Sequence, residues 1–238
     1  RADLPGVQLW WHGVPEQQRW RWVIAIGLVT MLLAWESFAP AYGWFKNRRA
    51  RLGHFGKNYM LGAINVVLAA LVFAQVWVAV SRWAEYKEVG LFHWLGLPGW
   101  ARVILAVLLL DLVTFGWHWL NHRSAFLWRF HRTHHSETNL DVSSAARFHF
   151  GEIILSGFLR IPVILLLGLR FHELVIYEIV LFAVVQFHHA NISLPARADW
   201  ILSRIIATPK YHRVHHSFER SEADSNYSSM LTVWDRVF

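Results

Sequence analysis

Residues 106–120, AVLLLDLVTFGWHWL, form an apolar run with no breaker beyond Gly116, and they pass without interruption into residues 121–135, NHRSAFLWRFHRTHH. A run of this length and composition reads as a membrane-spanning helix, and histidines close its end. His118 and His122 are one turn apart. His131, His134 and His135 follow at i, i+3 and i+4, so a helix places each set on one face. A second copy of the triplet, His212-Arg213-Val214-His215-His216, lies near the C-terminus. With 15 histidines among 238 residues, two such triplets beside an i, i+4 pair exceed what composition supplies. Solvated or core histidines carry no such register; the spacing is that of metal ligands.

Outward from that stretch, the chain is 55% hydrophobic and holds 15 Trp. Apolar runs at 22–38, 61–80, 103–120, 153–169 and 174–187 are of spanning or near-spanning length. The expected fold is therefore an all-α integral membrane protein: about four to five membrane helices, with a helical cytoplasmic cap holding a dinuclear histidine-rich metal site. The last two runs carry Arg160, Pro162 and Glu178 and are short enough for a hairpin that crosses only in part. Residues 1–238 read as one membrane domain, in which 1–100 supply the N-terminal helices and 101–238 the histidine-bearing catalytic region.

Orientation follows from the loops. Lys46, Arg48, Arg49, Arg51 and Lys57 lie between the first two runs with no acidic residue among them, whereas 81–100 balances Arg82 and Lys87 with Glu85 and Glu88. The first loop is thus expected in the cytoplasm, and counting crossings brings every histidine cluster to that same face. The net charge of +7 comes from basic residues flanking apolar runs, not from a stripe with exposed aromatics. That pattern points to anionic membrane lipids or an acidic electron-transfer protein and away from nucleic acid. The absence of cysteine excludes disulfides, thiolate ligands and iron–sulfur clusters within this chain.

One first-row ion takes about four to six ligands, so eight convergent imidazoles ask for two ions. Imidazole suits zinc, iron, copper or nickel, while Mg²⁺ and Ca²⁺ want oxygen. Neutral ligands leave the ions' charge uncompensated, which calls for carboxylates behind them. Asp111, two turns before His118 inside the span, is one candidate, and an interhelical hydrogen bond to Ser, Thr or Arg serves it equally well. Glu137, Asp141, Glu152, Asp224 and Asp235 are the candidates in the cap. His188 and His189 point about 100° apart on a helix, so one of them faces the metals. His149 is a further candidate ligand. His172 lies about 25 Å along a helix from His189 and is too remote; His12, His54 and His93 have no spacing partner and read as interfacial or core residues. Thr208-Pro209 marks a helix start ahead of the second triplet, and 221–229 reads as a loop. Phe115, Trp117 and Trp119 either line an apolar path to the site or form an interfacial belt.

The segments LLLDLVTFGWHWLNHRSAFLWRFHRTHHSETNLDVSSAARFHFGE, FHHANISLP, TPKYHRVHHS and NYSSMLTVWDRVF resemble the fatty acid hydroxylase superfamily, close to its bacterial sterol desaturase members, over 108–238. Members are membrane di-iron enzymes that use O₂ and external electrons to hydroxylate or desaturate lipids. The resemblance implies His118, His122, His131, His134, His135, His212, His215 and His216 as ligands. It favours His189 over His188 through the element His189-Ala190-Asn191, which also brings in Asn191. Its Arg-x-His-Pro-x-Glu element matches Arg147 to Glu152 with Phe150 where the family has Pro, a departure that bears on His149. The implied cofactors are two Fe ions, O₂ and an electron donor such as a ferredoxin, or a cytochrome b5-like protein with its reductase; Zn fills such a site in a purified sample as readily as iron. The implied substrate is a sterol, fatty acyl, carotenoid or glyceryl ether lipid, and the implied location is a bacterial inner membrane. A zinc-dependent membrane hydrolase and a metal-binding membrane protein without catalysis are the competing readings.

Overall fold

The computed structural model describes residues 16–238; His12 lies outside them. Among these residues the chain is all helical, with one isolated bridge between Ile206 and Leu231 and no strand. The longer helices are α1 (Glu16–Phe38), α2 (Arg48–Ala69), α3 (Gln75–Tyr86), α5 (Gly99–Arg123), α7 (Phe150–Leu167) and α8 (Phe171–His189). The shorter ones are α4 (Leu91–Trp94), α6 (Ala125–His135), α9 (Ala196–Leu202), α10 (Pro209–His215), α11 (Arg220–Ala223) and α12 (Trp234–Val237). Four stretches are long and apolar enough to cross a membrane: Arg48–Trp94, Gly99–Arg123, Phe150–Leu167 and Phe171–His189; Val23–Phe38 is a shorter apolar helix. Large apolar side chains such as Ile64, Val67, Leu71, Ile104, Phe158 and Leu166 stay exposed on these helices, which suits contact with lipid.

The second span differs from its expected bounds of 61–80. A π-helical turn, Ala70–Ala74, joins α2 to α3 without a break, and 48–86 runs roughly 58 Å at 1.5 Å per residue. This is about twice the apolar thickness of a bilayer. Most of the excess is the polar N-terminal end of α2, which packs on the cap, and the rest is the C-terminal end of α3. Asn58 donates to Glu137 Oε2 (3.2 Å) and Ser143 Oγ (3.0 Å) and accepts from Arg147 (3.1 Å). His54 lies 3.2 Å from Asp141 Oδ2 and 3.5 Å from Glu137 Oε2, so it is an ion-pair residue of this junction.

The main core joins α5, α7 and α8 through Ala106, Leu110, Val163, Ile164, Leu174 and Tyr177. Arg102 and Glu173 form a buried ion pair at 2.7 Å at the end of α5 far from its histidines. The α7–α8 pair is closed by Gly168, at φ 68°, which sits against Gly90, at φ 105°. Arg160 and Glu178 pair with each other across these helices, which is how two charges inside apolar runs are accommodated. A second cluster, Leu32, Val142, Ala190 and Ile192, anchors α1 to the cap. There the Glu36 carboxylate accepts from Arg51 (3.1 Å) and from the backbone N–H groups of Val142 (3.1 Å) and Asn191 (3.1 Å).

Candidate metal centre

Ser124 ends α5 by leaving the helical region (φ −94°, ψ 117°), and its Oγ caps α6 by accepting from Leu127 N at 3.4 Å. The turn brings the His131 ring to 4.9 Å from His118 and 5.0 Å from His122. Thr208 caps α10 (Tyr211 N to Oγ1, 3.3 Å) with Pro209 in its first turn, and α10 carries the second triplet inward. The last turn of α8 supplies His189. Four separate helix ends thus deliver nine imidazoles to one place.

They sort into two groups. His118, His122, His131, His135 and His215 form one; His134, His189, His212 and His216 form the other; within each, one ring nitrogen per residue lies within 4.8 Å of the rest. Each triplet is divided between them. His131 and His135 share a group while His134 crosses over, and His212 and His216 share a group while His215 crosses over. The cause is helical geometry: i and i+4 are about 40° apart, but i+3 and i+4 are neighbours about 100° apart.

The protonation pattern is fixed from behind. His118 Nδ1 donates to Tyr227 O (2.7 Å), His215 Nδ1 to Ser225 O (2.7 Å), His134 Nδ1 to Arg147 O (3.3 Å) and His189 Nδ1 to Val185 O (2.9 Å). A carbonyl can only accept, so each Nδ1 carries the proton and each Nε2 presents a lone pair. Yet His118 and His215 face each other Nε2 to Nε2 at 3.0 Å, and His134 and His189 at 3.2 Å. Two lone pairs so close repel unless a cation lies between them. Protonation does not relieve this, because burial, reinforced by the surrounding imidazoles, holds His134 and His215 well below the usual imidazole pKa. The same cause depresses His135, His212 and His216. The donor set therefore fits borderline divalent metal ions such as iron or zinc, one per group.

The other candidates take definite places. Glu152 Oε1 accepts from His131 Nδ1 at 3.0 Å and from Asn121 at 3.5 Å, so it is the carboxylate that backs a histidine. Asp224 Oδ1 lies 3.8 Å from His122 Nδ1. Among the described residues Asp111 forms no hydrogen bond to a histidine, Ser, Thr or Arg. It accepts from Leu231 N (3.0 Å) and the Trp234 indole (2.8 Å), pinning the C-terminal segment to α5. Asp235 accepts from Tyr211 OH and from the N–H groups of Tyr227 and Ser228, holding the loop whose Tyr227 carbonyl receives His118. Asn191 binds the backbone of Tyr42 on both sides of its amide. His149 enters neither group, since its Nδ1 accepts from Gly151 N at 3.0 Å and caps α7. His188 stacks on His212 at 3.9 Å between ring centroids, supporting a histidine without joining a group. His172 is exposed at the opposite end of α8, and His93 sits in α4 beside Gly168.

Residues 221–229, read as a loop, begin with the single turn α11. Sequence reasoning missed the carbonyls of Tyr227, Ser225, Arg147 and Val185, because any residue type offers a carbonyl. It also passed over Glu36, for which a charge inside an apolar run was the available signal. A cavity of about 480 Å³ lined by His122, His135, His216, Trp128 and Phe218 opens onto the site.

The family model described as "Fatty acid hydroxylase" matches residues 103–238. The chain is similar to the ornithine lipid hydroxylase OlsE of Rhizobium tropici, with 27% identity over 223 residues, 92% of this chain and 66% of that protein. It is similar to the alkylglycerol monooxygenase of Xenopus tropicalis (30% identity; 53% of this chain, 28% of that protein) and to the cholesterol 25-hydroxylase of Mus musculus (27%; 63% and 53%). The chain thus spans just under two thirds of the first of these relatives, and less of the others. No solved structure gives a significant match.

Proposed function

This chain belongs to the fatty acid hydroxylase family, and from that premise we propose that it is an O₂-dependent membrane oxygenase that hydroxylates or desaturates an unactivated C–H position of a lipid. The observation that carries the reading is the set of facing Nε2 lone pairs, His118 to His215 and His134 to His189, fixed by backbone carbonyls that accept at Nδ1. His118, His122, His131, His135 and His215 would hold one iron, and His134, His189, His212 and His216 the other. Two irons bound there would supply the redox chemistry that activates O₂. In hydroxylation one oxygen atom enters the lipid and the other leaves as water, with two electrons from an external donor and two protons from solvent.

The protein's own contribution is positional. Glu152 holds the His131 ring and its tautomer, and Asp235 holds the Tyr227 loop that orients His118. Burial keeps the cap histidines neutral, so that their lone pairs remain available as ligands. The basic end of α2 packs against the same cap as the histidines, which supports a cytoplasmic site by the positive-inside rule. A bacterial inner membrane fits that placement. The net charge of +7 favours an acidic donor such as a ferredoxin, or a cytochrome b5-like protein with its reductase.

The test is metal identity and stoichiometry in protein purified anaerobically from iron-supplemented cells, with Mössbauer spectra before and after O₂. Two irons per chain that oxidise on exposure to O₂ are expected; a single redox-inert zinc retained under those conditions would overturn the reading.

A further inference from the structure

Two cavities meet at the C-terminal end of α5. The larger, about 850 Å³, runs along one face of that helix, over Leu112, Phe115, Gly116 and Trp119, and is also lined by Tyr227 and Phe238. The smaller is the one that reaches His122, His135 and His216, and Arg123 and Asp224 line both. Among the described residues no histidine lines the larger cavity. The Tyr227 ring, 5.1 Å from His122 and 5.6 Å from His215, walls it off.

The depth of these features decides what the pair can hold. Leu112 precedes His122 by ten residues, about 15 Å along the helix and toward the middle of the span, while Arg123 ends the span at the polar boundary. An alkyl chain lying against Leu112, Phe115 and Gly116 stays in the apolar layer. Whatever passes from there to the histidines must do so beside Arg123 and Asp224. The lining of the two cavities is cationic by one charge, with Arg123, Arg220 and Arg236 against Asp224 and Asp235, and Asp224 is engaged by Arg220 at 3.2 Å. Arg123 forms no ion pair among the described residues; its guanidinium lies 6.0 Å from the Trp119 ring and also interacts with the Tyr227 side chain, a neutral partner that leaves its charge uncompensated.

We propose that the larger cavity holds the alkyl chain of an amphipathic lipid with an anionic headgroup, tail toward Leu112, so that carbons next to the headgroup meet the histidines. Gly116 sets how much chain the cavity accepts. Its position lines the cavity, and a Cβ built there meets nothing within 4 Å, so the space a larger side chain would take is the chain's own. This assignment rests on the oxygenase reading and specifies its substrate. The bond broken is a C–H beside the headgroup and the bond formed is C–OH at the same carbon. One O₂, two electrons from the external donor and two protons are consumed, and one water is released.

The experiment uses the full chain, iron-loaded in lipid nanodiscs, with two photoreactive single-chain phosphatidic acids that carry a diazirine either at the chain end or beside the headgroup. The chain-end probe is expected to label the α5 segment around Leu112–Trp119, and the head-adjacent probe the segments holding Trp128 and Phe218. The reverse pattern overturns the proposal. Gly116→Leu, which has room to fold and should melt with the wild type, is expected to lower chain-end labelling at least about tenfold while sparing a shorter-chain probe; unchanged labelling overturns Gly116 as the determinant. Arg123→Gln should weaken capture of the phosphate probe but not of its alcohol-headed analogue, and equal weakening of both refutes the anionic headgroup. Isotopically labelled O₂ separates the two readings. Label at the chain end of a product lipid refutes this placement and leaves the oxygenase intact. The expected cross-links without any O₂-dependent product leave the placement standing and refute the oxygenase.

Discussion

Replacing Glu152 should loosen one metal and leave the other in place. Glu152 reaches back from the first turn of α7, with Oε1 3.0 Å from His131 Nδ1, and His131 is only 2% exposed. Among the described residues Glu152 is the hydrogen-bond partner of that buried N–H, so in Glu152→Ala the imidazole loses the group that holds both its tautomer and its ring plane. A hydrogen bond to a charged group is worth about 1.5–3 kcal/mol, which at about 1.4 kcal/mol per decade is roughly 10- to 100-fold in metal affinity, the range seen when such supporting partners are removed. The loss belongs to the five-histidine group alone, because His134 and His189 are oriented by the carbonyls of Arg147 and Val185. Glu152→Gln keeps an acceptor and gives up only the charge, so its effect should be the smaller. A chelator titration that follows release of each metal from the purified protein reads both variants. Equal loss of the two metals in Glu152→Ala, or no change in either, would refute the division into two groups with Glu152 behind one of them.

His134→Ala and His135→Ala are adjacent substitutions that should weaken different metals, the first in the four-histidine group and the second in the five-histidine group; metal-specific spectra of the two variants that coincide would contradict this. Metal-free protein should lose stability as pH falls below about 6.5, because the unfolded chain then binds protons that the buried His134, His135, His212, His215 and His216 refuse. Their folded pKa values are lowered, so the contribution is complete above the unfolded value and is lost progressively toward acid; melting of chelator-treated protein between about pH 7.5 and about pH 5.5 reads it. Gly168→Ala should destabilise by about 2 kcal/mol or more. Its backbone is left-handed at φ 68°, and a Cβ would lie 2.5 Å from Val89 O. Thermal unfolding in detergent measures the difference, with Gly116→Ala, helical and with open space at its Cβ, expected to melt no lower than the wild type.

The chemistry was legible in the sequence, since the i, i+3, i+4 spacing of each triplet, the His118/His122 pair and the Thr208-Pro209 helix start are local properties of a 3.6-residue turn. Membrane spans were legible for the same reason, as local composition against a fixed bilayer thickness, although the 48–86 helix outran its apolar run because its polar end packs on the cap. Other features depend on residues distant in the chain meeting in space. Asp111 turned to Leu231 and Trp234, Asp235 to the Tyr227 loop, and His149 to its own helix end; no spacing rule distinguishes these from a contact with a histidine. The sequence by itself determined that many imidazoles converge at the end of a span, in groups that could hold metal ions. Which imidazole joins which group, and which tautomer His118, His134, His189 and His215 adopt, were decided only by the tertiary structure, through backbone carbonyls and helix crossings that residue identity does not encode.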